Sequence, residues 1–81
     1  MNIIEAINEL EENSLVRCPS IKSNPRHDEP DWLCNKPGTN EIWICAVNIE
    51  GHFPQHRYSL SISDILSTEW IKHTEKSKAW D

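Results

Sequence analysis

The chain has 81 residues, 37% of them hydrophobic and 26% charged, and a net charge of −5. One small domain fits this length and a cofactor domain beside a substrate domain does not; a chain of this size buries only about 60% of its unfolded surface, so help from oligomerisation, a metal or a disulfide is expected. No apolar run reaches the roughly 18 residues of a membrane span, and the acidic opening is unlike a secretory signal, so a soluble, intracellular protein is expected.

Asn2 can cap a helix that Glu5 closes as a capping box, and Ile3, Ile7 and Leu10 recur at helical spacing, which predicts a helix over about 2–12. Asn13 suits a left-handed stop. Leu15-Val16-Arg17-Cys18 then reads as a short strand ended by Pro19. Residues 19–40 hold four of the five prolines and read as a long loop, within which Trp32-Leu33-Cys34 can form a short strand. Residues 41–48 form the strongest strand, with Ile42, Ile44 and Ala46 on one face and Trp43, Cys45 and Val47 on the other. Both faces therefore need cover: the helix can supply one, and a second subunit the other. Glu50-Gly51 makes a hairpin turn into a return strand over 52–62, with Pro54 marking its edge or a bulge. Ser63 is a candidate cap for one helical turn, Glu69–His73 reads as a last strand, and residues 74–81 read as a frayed tail. These elements predict an α+β fold: an N-terminal helix packed on a small antiparallel β-sheet, with a short helical turn before the last strand. Residues 1–73 would form the single domain and 74–81 a flexible C-terminal tail.

The charge is unevenly placed. Residues 1–16 carry Glu5, Glu9, Glu11 and Glu12 and no base, a charge of −4 against −1 for the rest. That disfavours direct nucleic-acid binding, which needs a basic footprint. Three cysteines, Cys18, Cys34 and Cys45, do not make a disulfide framework, and their spacing matches no zinc pattern. His52 and His56 are four apart, but on a strand that separation is about 13 Å, so no metal is expected. Cys45 lies in mid-strand, where a cysteine is inert packing rather than a nucleophile. Asp28, Glu29 and Asp31 read as solvated loop charge, and no phosphate loop or catalytic order is present. Neither catalysis nor a cofactor is expected. What remains is binding chemistry: Arg17, Lys22, Arg26 and Arg57 as cations, and Trp32, Trp43 and Tyr58 as flat apolar surfaces, the means by which a protein holds a phosphorylated nucleotide.

The opening Ile4-Glu5-Ala6-Ile7-Asn8-Glu9-Leu10-Glu11-Glu12-Asn13-Ser14-Leu15-Val16-Arg17 resembles the start of the second Thoeris anti-defence family of phage proteins (Tad-two-like): helix, stop, then a strand ending in Arg. Leu60-Ser61-Ile62-Ser63-Asp64-Ile65-Leu66-Ser67-Thr68-Glu69-Trp70 is similar to that family's closing stretch. Ile21 stands where the family pattern has a tryptophan at the ligand pocket, Asn13 where it has glycine, and Glu69 where it has aspartate. The resemblance implies a small homo-oligomer, a dimer or tetramer, that sequesters a cyclic ADP-ribose isomer or cyclic dinucleotide in the host cytoplasm without cleaving it. Some relatives inhibit CRISPR nucleases instead. The ligand residues expected on this reading are Arg17, Asn24, Trp32, Trp43 and Arg57, with the two arginines on phosphate and an aromatic on the base. The alternative is a protein–protein inhibitor that docks Glu9, Glu11 and Glu12 on a basic surface of a defence enzyme.

Overall fold

The computed structural model describes residues 1–22 and 29–80. Helix α1 runs Ile3–Glu11; strands β1 (Ser14–Arg17), β2 (Trp32–Asn35), β3 (Ile42–Asn48) and β4 (Gly51–Arg57) follow, then a short helix α2 (Ile62–Leu66) and β5 (Ile71–Lys76). This is the expected α+β fold. The local signals for α1 act as read: the Asn2 side chain accepts the Glu5 N–H at 2.9 Å, the Glu5 carboxylate accepts the Asn2 N–H at 3.0 Å, and Asn13 takes a φ of 66°.

All five strands are antiparallel, in the order β4-β3-β2-β1-β5. Strand alternation sorts their side chains onto two faces. Val16, Leu33 and Ile44 meet Ala6 and Leu10 of α1, together with Cys18, Ile21 and Trp70, in the main core. Leu15, Trp32, Cys34, Cys45 and Val47 form a second cluster on the other face, against which Trp43, Ala79 and Trp80 pack. The chain's own last residues thus cover part of the face for which a second subunit was expected.

Four expected boundaries shift. The segment 32–35 is a central strand paired with both β1 and β3, not a minor piece of a long loop. The return strand ends at Arg57 rather than at 62, after the register shift at which Pro54 faces Cys45. Beyond it, Tyr58 and Leu60 turn in toward the main core. Helix α2 is capped by Ser61, not Ser63, because Asp64 stands three residues on and answers the Ser61 N–H. The last strand continues to Lys76, and Ser77 beyond it is buried, donating its N–H to the Asn13 carbonyl at 2.8 Å.

The sheet is curled. His52 on β4 and His73 on β5 belong to its two outer strands, which a flat sheet would hold about 19 Å apart. Their ring centroids are 5.8 Å apart. Side chains of the two edge strands therefore meet across the second face, and the residues after β5 run over it.

Candidate functional site

Arg17 closes β1, where the chain leaves the sheet for a turn over Cys18–Ile21, whose Ile21 N–H donates to the Cys18 carbonyl at 3.0 Å. The guanidinium donates through Nη2 to the Ile21 carbonyl at 2.8 Å and lies 6.0 Å from the centroid of the Trp32 ring. Beside it opens a cavity of about 590 Å³ lined by Arg17, Pro19, Ile21, Lys22, Glu69 and Ile71. Two cations and one carboxylate border it, with Ile21 and Ile71 as its apolar wall. An anion of nucleotide size fits that chemistry.

The turn is anchored by Asp64, a carboxylate that sequence reasoning missed as a functional group. It is fully buried at the first turn of α2. It accepts the Ser20 hydroxyl, the Tyr58 hydroxyl at 2.6 Å and the Ser61 N–H at 2.9 Å, with the Cys18 thiol at 3.6 Å. Burial pushes the carboxyl up, but the bonds from Ser20, Tyr58 and Ser61 outweigh it and hold it at about 2. Burial, then the bond to Asp64, pushes the Tyr58 phenol well above its ordinary range. Asp64 thus ties the Arg17–Lys22 turn to α2 and to Tyr58, just past the end of β4. The signal for it in the sequence is the pair Ser61 and Asp64, spaced as a capping box.

The expected ligand residues do not form one group. Arg17 and Trp32 are brought together, but Trp32 is 7% exposed and packs its ring edge-to-face on His73 at 4.7 Å, so it is core rather than an open stacking surface. Trp43 and Arg57 are cross-strand partners on β3 and β4. Trp43 donates through Nε1 to Glu41 at 3.1 Å and meets Trp80 edge-on at 5.3 Å, while Arg57 is exposed. Arg57 on β4 and Arg17 on β1 stand three strands apart in the sheet order, and Arg57 does not line the cavity beside Arg17. Asn24 lies outside the described residues. Of the acidic residues, Glu9 pairs with Lys72 at 3.3 Å, and the Glu12 carbonyl accepts Lys76 Nζ at 3.1 Å. Lysines of β5 thus offset part of the acidic face on which the inhibitor reading depends.

A second cavity, of about 520 Å³, lies where the sheet edges meet, with His52, His73, Glu29, Glu75 and Lys78 in its wall. The Lys78 N–H donates to His52 Nδ1 and the Glu75 N–H to His73 Nδ1, each at 3.1 Å. An Nδ1 that accepts carries no proton, so in both neutral rings the hydrogen is on Nε2. Those nitrogens face Glu75 at 3.7 Å and Glu29 at 3.2 Å. In this tautomer each ring's lone pair, on Nδ1, is taken up by a backbone N–H. His56, the expected partner of His52, is exposed on β4 and bonds the Arg57 carbonyl at 3.0 Å. Among the described residues no three or more His, Cys, Asp or Glu side chains are grouped to hold a metal ion.

All three cysteines are buried and unpaired. Cys45 donates to the Ala46 carbonyl at 3.7 Å, and the neighbouring Cys34 thiol together with burial pushes the Cys45 thiol far up, the state of a packing group and not of a nucleophile. Among the described residues no helix is long and apolar enough to cross a membrane. Comparison of the chain with family models, with curated proteins and with solved structures finds no match.

Proposed function

We propose that this chain is a phage anti-defence protein that binds a cyclic nucleotide immune signal, a cyclic ADP-ribose isomer or a cyclic dinucleotide, and sequesters it in the host cytoplasm without cleaving it. The observation that carries this reading is the pairing of Arg17 with Lys22 around one cavity of about 590 Å³. Its arginine ends the first strand, the position that the resemblance of residues 4–17 assigns to it. The guanidinium has five N–H donors in a planar fork suited to phosphate. Ile71, half exposed, supplies apolar contact for a base, while Ile21, where the family pattern has a tryptophan, is buried in the core behind the cavity. The oligomer that the resemblance implies would bring a second copy to this opening.

Native mass spectrometry with cyclic ADP-ribose isomers and cyclic dinucleotides tests the reading: the protein should gain the mass of one of them, released intact on denaturation. Titration calorimetry should then show Arg17→Ala weakening binding roughly 10- to 150-fold, the worth of a charge-assisted contact. Arg57→Ala should leave affinity unchanged. A protein that gains no mass refutes the proposal and turns attention to docking through Glu11 and Glu12. Equal losses for Arg57→Ala and Arg17→Ala would refute the assignment of the cavity.

A further inference from the structure

We propose that His52 and His73 form an acid-operated latch that holds residues 77–80 across the open face of the sheet. The two rings come from opposite edge strands and touch only because the sheet curls, with centroids 5.8 Å apart and planes at 76°. What His52 grips is the chain terminus: its Nδ1 accepts the backbone N–H of Lys78. Two residues on, Trp80 packs on Trp43, above a cluster that includes Cys34, Cys45 and Val47. The Ser77 N–H on the Asn13 carbonyl holds the near end of the same segment.

Protonation undoes this arrangement by geometry. An imidazolium donates from both nitrogens, so a proton on His52 Nδ1 would face the Lys78 N–H, and one on His73 Nδ1 would face the Glu75 N–H. Two charged rings at this separation also repel each other. The groups facing them are Glu75 of β5, Lys78 of the terminal segment, Glu29 ahead of β2, and Glu50 in the turn between β3 and β4. The carboxylates favour the charged form and Lys78 opposes it. The closest carboxylate to His52 is 3.7 Å away with its side chain 57% exposed, whereas the His52 side chain is only 4% exposed. Water screens the first, and burial penalises a charge on the second. In agreement, burial first and the neighbouring His73 second push His52 below its ordinary value. The latch is therefore closed near neutral pH and opens on acidification below the ordinary histidine range.

The test uses the Trp43–Trp80 pair as reporter. The part of the near-ultraviolet circular dichroism that Trp80→Phe removes is followed from about pH 8 to about pH 4.5, with the far-ultraviolet spectrum as the check on folding. In the wild type this part should be lost only after the pH has fallen below the ordinary histidine value of about 6.5, while the far-ultraviolet spectrum holds. In His52→Asn, whose carboxamide oxygen can take the place of Nδ1 and cannot be protonated, it should persist throughout. Nitrogen NMR of the wild-type rings gives a reading that needs no variant: both neutral rings should carry the hydrogen on Nε2. The proposal is overturned if the variant and wild type lose the signal together. It is equally overturned if the signal survives protonation of His52, if His52 stays neutral throughout, or if the neutral rings carry hydrogen on Nδ1.

Discussion

Replacing Asp64 by asparagine keeps the shape of the side chain and removes its charge. The carboxylate is fully buried and accepts from Ser20, Tyr58 and the Ser61 N–H. A carboxyl held at about 2 instead of its ordinary 3.8 stabilises the fold by about 2.5 kcal/mol once the pH is above both values. In a domain of this size that corresponds to a fall in melting temperature of roughly 10–20 °C for Asp64→Asn at neutral pH. The sign follows from the depressed value: the contribution is complete above the unfolded-state pKa and disappears as the pH falls toward about 2. Urea denaturation of both proteins across acid pH measures the gap between them, which should shrink to under about 0.5 kcal/mol near pH 2. A gap that is as wide at that pH as at neutrality would refute the reasoning, since the carboxylate's charge would then contribute nothing. A gap under about 0.5 kcal/mol at neutrality would refute it as well.

Two backbone positions give further predictions. Gly51 opens β4 at a φ of 144°, and a Cβ there would meet only Phe53 Cζ at 3.9 Å, so the cost of Gly51→Ala is conformational, about 1–2 kcal/mol by urea midpoint. Asn13, at a φ of 66°, donates its Nδ2 to the Ser77 carbonyl at 3.2 Å. Asn13→Gly loses that bond alone, whereas Asn13→Ala loses it and adds left-handed strain, so in thermal melts alanine should cost about 1 kcal/mol more than glycine.

What was legible in the sequence was local chemistry. The capping box of α1, the left-handed Asn13, the apolar run of β3 and the irregularity at Pro54 each follow from residues within a few positions of one another. Strand β2 was nearly hidden, because four residues among prolines become central only through pairing on both sides. The start of α2 was misplaced because Ser61 and Ser63 are both competent caps, and the choice lies with where Asp64 must reach. At the candidate site, the strand that carries Arg17 was legible, but the residues alone ran it on to Cys18, and only the resemblance placed its end at Arg17. Trp32 was legible as an aromatic but not as core, since its burial depends on His73, which lies 41 positions on. The histidine pair could not be read at all, for its members meet only through the curl of the sheet.

The pairing of β5 with β1 also joins segments far apart in the chain. β5 follows the other four strands in chain order, and Trp70, the largest fully buried side chain, stands immediately before it. Without this stretch α1 and the first four strands lack both an edge and the centre of their core. A chain cut back to before residue 70 should therefore be protease-sensitive, and the same chain with β5 restored should be resistant.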